Sequence, residues 1–281
     1  MFQPTPLMNI LLAIPIILIM LVLSCGQSVD YSKAKFEDVF RPYDIKSGYI
    51  KYKVSGDEEG IEELWWDGYG LYTHKYRSVV NVKYGKVPIE GWDIGTPEYI
   101  YSYGRRYQKN FIREKLTYEY IPDSIVGSMR PNNLILLLKS KWERMTPEQK
   151  KKLGPSIRKF ARDLQLGIVY KGRISKPNEL FTKQIAGKRA DVYKVEGQDI
   201  RLFMWKGIPL GWEVITGRGS FILTQAEEVK ENISVPADKF APLQGEKVLT
   251  KVYTQDSVAV QQERILINEL LKTYLPELFE E

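Results

Sequence analysis

The chain has 281 residues, with 41 Lys and Arg, 35 Asp and Glu, one cysteine and one histidine. One cysteine excludes an internal disulfide, one histidine excludes a multi-histidine metal centre, and a Ser-His-Asp triad would rest on that histidine alone. The net charge of +6 and pI near 9.0 suit an anionic membrane or an acidic partner, whereas no aromatic and basic motif of the RNP type points to nucleic acid.

Leu7 to Leu23 is almost wholly apolar, and no charged residue precedes Asp30. The run closes on Val22-Leu23-Ser24-Cys25-Gly26, which resembles a bacterial lipoprotein signal peptide with its lipobox. The expectation is that residues 1–24 are removed and that Cys25 becomes a lipidated N-terminus, which leaves no thiol for catalysis. The leader departs from the pattern in carrying no Lys or Arg and in having Val22 where Leu is usual. The alternative is an uncleaved membrane helix, for which about 18 apolar residues suffice. Gly26 and Gln27 carry no Asp retention signal, so the expected address is the periplasmic face of the outer membrane.

Residues 25–47 read as a tether with a short helix in Tyr31 to Phe40. Residues 48–281 read as a single domain. Tyr49 to Ser55 alternates, with Ile50, Tyr52 and Val54 on one side and Lys51 and Lys53 on the other, as a strand with one wet face does.

This strand opens a repeat. Tyr52-Lys53-Val54-Ser55-Gly56 returns as Tyr193-Lys194-Val195-Glu196-Gly197, and Trp66-Asp67-Gly68-Tyr69-Gly70-Leu71 returns as Trp205-Lys206-Gly207-Ile208-Pro209-Leu210. Each copy reads as a hairpin closed by a polar, glycine-containing turn. The span between Gly and Trp is two residues shorter in the second copy. An even change leaves each aromatic on its original face. The two hairpins are therefore expected to be equivalent strand pairs in one sheet.

His74, in Tyr72-Thr73-His74-Lys75-Tyr76, reads as a surface strand residue rather than a general base. Leu71 to Val82 and Glu98 to Gln108 continue as a Tyr-rich meander broken at Gly85, Pro88, Gly91, Gly95 and Gly104. Its tyrosines serve either cross-strand packing or a stacking platform. From Pro131 the period changes to helical, giving a segment over 131–166 that restarts at Thr146-Pro147-Glu148-Gln149 with a capping box and breaks at Gly154-Pro155. Its many lysines and arginines form either a solvated face or a contact with anionic membrane. Strands resume near Gly167, and a closing helix is expected over 256–275.

The phrases YKVSG, LWWDGYGLYTHKY, YKVEG with FMWKGIPLGWEV, and VPADKFAPLQG together resemble proteins of the lipoprotein-carrier (Lol-type) superfamily of the periplasm and outer membrane. The resemblance implies an α+β, mainly antiparallel fold: an open, curved half-barrel sheet covered by helices on its concave face. It assigns no functional residues.

On that architecture the expected function is a non-catalytic, lipid-anchored envelope protein. It would bind an apolar ligand, whether a lipid, the acyl chains of a lipoprotein or an apolar peptide, between sheet and helices, with no cofactor and no metal. The candidate liners are Trp66, Leu71, Leu137, Trp142, Phe203, Trp205, Leu210 and Trp212, residue types whose ordinary place is the core. One alternative is a structural envelope lipoprotein with a filled core that binds a protein partner; another is a hydrolase using Asp67.

Overall fold

The computed structural model describes residues 29–83, 85–96, 100–108, 111–120, 131–165, 174–175, 181–195, 199–216, 219–241, 247–252, 271–272 and 275–276; within 100–120, 131–134, 136–137, 164–165, 174–175, 195, 216 and 247–252 it describes the backbone. The predicted lipid attachment residue, Cys25, lies outside these residues, as does most of the closing helix expected over 256–275.

The described residues form one sheet of 13 strands. The first half comprises β1 (Gly48–Gly56), β2 (Glu58–Asp67), β3 (Tyr72–Asn81), β4 (Val87–Gly95), β5 (Ile100–Gln108) and β6 (Phe111–Tyr120). After the helices come β7 (Ile174–Ser175), β8 (Thr182–Ile185), β9 (Lys188–Val195), β10 (Asp199–Trp205), β11 (Ile208–Thr216), β12 (Ser220–Glu231) and β13 (Lys247–Val252). The spatial order is β13-β6-β5-β4-β3-β2-β1-β12-β11-β10-β9-β7, with β8 paired to β9. Among the described strands the pairing is antiparallel except between β13 and β6. The sheet does not close on itself, so the architecture is the expected α+β open half barrel.

The meander carries on where the sequence suggested breaks. β4 passes through Pro88 and Gly91, with Gly91 opposite Arg77 on one side and Gly104 on the other. Pairing on both sides outweighs the poor strand propensity of these residues.

The two Trp hairpins do lie in one sheet, as β1-β2 and β9-β10, joined through the β1-β12 pair. Their ends converge on one N-terminal segment. The Tyr43 N–H donates to Tyr69 O at 2.9 Å, and the Asp44 N–H donates to Lys206 O at 3.0 Å. In the other direction, Tyr69 N–H donates to Lys46 O at 2.8 Å and the Trp66 indole donates to Ile45 O at 3.1 Å. Residues 42–46 thus form a strap across both repeated turns. The second turn is Lys206-Gly207, with φ of 52° and 77°, the two left-handed residues of a type I′ hairpin. A β-carbon at Gly207 would also lie 2.3 Å from Pro42 O, so glycine is required there by both conformation and space.

The helices are α1 (Phe36–Val39), α2 (Pro131–Arg144) and α3 (Pro147–Gln165). The capping box before α3 is formed: Thr146 N–H donates to Gln149 Oε1 at 2.9 Å and Gln149 N–H donates to Thr146 Oγ1 at 3.3 Å. The expected break at Gly154-Pro155 is absent, since α3 continues through both. Pro155 is exposed, so the carbonyl one turn back that loses its N–H partner can bond water. Gly154 is buried beneath Tyr31, whose ring carbon Cδ1 would lie 2.2 Å from a β-carbon there. It is a packing glycine rather than a helix breaker.

The core divides in two. One cluster joins Phe36, Val39 and Phe40 to Trp142, Ile157, Phe160, Leu271, Leu275 and Leu71. The other joins Tyr52, Leu64, Trp66, Phe203, Ile208 and Leu210 within the curl of the sheet. The helical residues Trp142, Ile157 and Phe160 lie apart from the hairpin aromatics. They meet α1 instead, because the chain before β1 supplies Phe36 and Phe40, which stack at 5.3 Å and cover the helices.

Candidate functional site

Between the two clusters lies a cavity of about 360 Å³. Its walls come from both: Tyr43, Tyr52 and Leu64 from the hairpin cluster, and Leu71 and Ile135 from the helical one, with Trp212 and Pro209 from β11. Helices that rest on α1 rather than on the sheet leave this space at the seam.

One wall is polar, and sheet register builds it. Glu62 stands opposite Tyr52 on β1 and Arg77 on β3, while Lys75 stands opposite Leu64 on β2 and Asp93 on β4. Directly opposed residues share a face, so one charged row lies beside the aromatic one.

Glu62 is 0% exposed, with Lys75 Nζ 2.7 Å and Arg77 Nε 3.9 Å from its oxygens. Burial pushes its carboxyl pKa up, and nearby Asp93 adds to that, while Lys75 and Arg77 pull the other way without cancelling it. Lys75 also lies 4.7 Å over the Trp212 ring. The Tyr52 hydroxyl donates to Pro209 O at 2.7 Å, tying the two halves of the wall together; burial raises its pKa well above the usual phenol range.

The eight predicted liners separate. Trp66, Phe203 and Leu210 are buried in the hairpin cluster, with Trp205 and Trp212 half-buried against it. Leu71 and Trp142 are buried in the helical cluster, and Leu137 is in α2 with its side chain outside the description. Of the eight, Leu71 and Trp212 are among the residues lining the cavity. Tyr43, Glu62, Thr73, Lys75, Asp93 and Ile135 also line it without having been singled out. The available signal was Glu62-x-Leu64-x-Trp66, a charge at an inward position of an alternating strand.

Asp67 accepts from Gly68 N–H at 2.7 Å and so holds the first repeated turn. His74 is not a surface residue, being 8% exposed on the outer face of β3, with Nδ1 2.6 Å from Lys239 O. A turn over Ala237–Phe240 covers it, with Lys239 Nζ 4.8 Å over the Trp65 ring and Phe240 5.9 Å from Tyr72. Burial lowers the histidine pKa. The strands alone could not reveal this, because the cover arrives from the chain after β12.

Among the described residues no helix is long and apolar enough to cross a membrane. No family model matches the chain, and no curated protein matches it. Among solved structures it is similar to MucB, seen in the crystal structure of MucB in complex with MucA(peri), with 12% identity and a TM-score of 0.29. That match covers 73% of this chain and 56% of the MucB chain.

Proposed function

We propose that this chain is a lipid-anchored, non-catalytic envelope protein that holds an amphipathic ligand, an acyl chain or apolar peptide segment, in the cavity at the seam of its two cores. The observation that carries this reading is the cavity itself: about 360 Å³, within the range of small-ligand sites. Its apolar residues Leu64, Leu71 and Ile135 suit a hydrocarbon body, and Lys75, beside Leu64 on the sheet wall, suits an anionic or polar head. Acylation of Cys25 would place the protein at the membrane, and the absence of Asp after the cysteine favours the outer one.

Native mass spectrometry of gently extracted protein tests the ligand. The expected result is a co-purifying lipid or peptide mass that disappears in Thr73→Phe, a variant that fills the cavity from a half-buried position. A clean apo mass, together with no saturable uptake of a fluorescent fatty acid, would leave the protein-partner reading in its place. Metabolic labelling with a fatty-acid analogue tests the anchor, with label expected on the parent and lost in Cys25→Ser.

A further inference from the structure

Six exposed residues of α3 fall on one stripe, Glu148, Lys151, Lys152, Pro155, Lys159 and Arg162, with exposed Pro147 and Gln149 beside it in the first turn. Their spacing of three or four is that of one helical face. Arg162 and Arg158 are held by Asp44 of the strap, and Lys151, Lys152 and Lys159 supply the other positive charges of the stripe.

The chain enters the fold at the same place. Tyr31 packs on Gly154 in the middle of α3, and Asp30 lies within electrostatic reach of Lys33 and Lys151. Five residues lie between Cys25 and Tyr31, and the six steps of chain reach at most about 22 Å when fully extended. An α-helix with its side chains is about 10–12 Å across, so a lipid on Cys25 cannot sit far from α3.

We infer that the exposed stripe of α3, centred on Lys151, Lys152 and Lys159, is a docking surface for the anionic lipid surface into which the acylated Cys25 inserts. The inference rests on the anchor reading above. A short tether and a mainly basic stripe beside its point of attachment act together: the tether confines the stripe near the headgroups, and each basic residue close to an anionic surface then favours contact roughly fivefold. The bound protein would stand with α3 against the bilayer and the outer face of the sheet, with Lys53, turned away. The contact is electrostatic, so salt should release the stripe while the lipid stays inserted.

The test uses the full chain, processed and acylated, purified in detergent and reconstituted into vesicles carrying a nitroxide on a headgroup lipid. With Cys25 blocked by lipid, a fluorophore can be placed at Pro155→Cys, in the stripe, or at Lys53→Cys, on the far side. In vesicles of phosphatidylcholine and phosphatidylglycerol the label at 155 should be quenched several-fold more than the label at 53. The difference should vanish at high salt and in Lys151→Glu/Lys152→Glu/Lys159→Glu.

Sedimentation with vesicles of phosphatidylcholine alone reports the anchor separately, and should be unchanged by salt or by those substitutions. Sedimentation with equal quenching of the two labels would overturn the docking surface and leave the anchor standing. Failure to sediment with phosphatidylcholine vesicles would overturn the anchor reading and this inference with it.

Discussion

Gly48 and Trp66 stand directly opposite one another across β1 and β2, and a β-carbon on Gly48 would lie 2.3 Å from the indole carbons Cη2 and Cζ2. The indole is 0% exposed and the Lys230 carbonyl would lie 2.5 Å from the same β-carbon, so neither side has room to give. Gly48→Ala should therefore cost about 1–3 kcal/mol, the usual penalty for overfilling a packed core. The denaturant midpoint should fall with little change in slope.

The two repeated tryptophans should differ. Trp66→Ala empties a sealed site and leaves Ile45 O without its indole donor, and a loss of about 3–5 kcal/mol is expected. Trp205 is half-buried beneath Lys188 and Lys206, each 4.8 Å from its ring, so Trp205→Ala should cost less than about 3 kcal/mol. Because one sheet carries both, a single calorimetric transition should move in each variant. Two transitions, each sensitive to one substitution, would contradict a cooperative unit.

Glu62 makes stability pH-dependent in an unusual direction for a carboxylate. Its pKa is raised in the folded protein from an ordinary 4.5, so between the two values the folded state binds more protons than the unfolded one. Stability from this group is fully present below the unfolded pKa and is lost as pH rises through the folded one. Relative to Glu62→Gln, the parent should be more stable in mild acid than at neutral pH. A gap that widens toward neutral pH would show that the Lys75 and Arg77 pairings outweigh burial.

His74 acts in the opposite sense. Its folded pKa is below the ordinary 6.5, so the unfolded chain takes up the proton first, and stability falls as pH drops from 6.5 toward the folded value. Acid unfolding should be blunted in His74→Gln across that window. Hydrogen exchange in Ala237–Phe240, the turn lying over His74, should report the same step.

The helices and the shared sheet were legible because they depend on local period and on a repeat. Leu138, Trp142, Ile157 and Phe160 mark one stripe of α2 and α3 whatever they pack against, and the two Trp phrases announce paired hairpins. What covers each stripe was not legible, because it depends on segments distant in the chain. Phe36 and Phe40 take the helical face, and residues 42–46 take both turns. The cavity exists because of that division, so its wall of Glu62, Lys75 and Asp93 becomes visible once register is known. His74 was misplaced for the same reason.

The strap and the β1-β12 pair also impose an order of events during folding. Ser47 Oγ bonds Ile233 O across 186 positions, and Tyr52 bonds Pro209 O across 157. Strands β1 to β6 can pair in sequence as the chain emerges, but the other edge of β1 has no neighbour until β12 has been made. Contacts so distant in sequence form slowly. During that interval Ile50, Tyr52 and Val54 lie along an open strand edge, the kind of template that recruits other unfinished chains. A chain truncated within β11 would therefore be prone to pair with its own copies, and a factor that holds β1 until β12 arrives would raise the yield of folded protein.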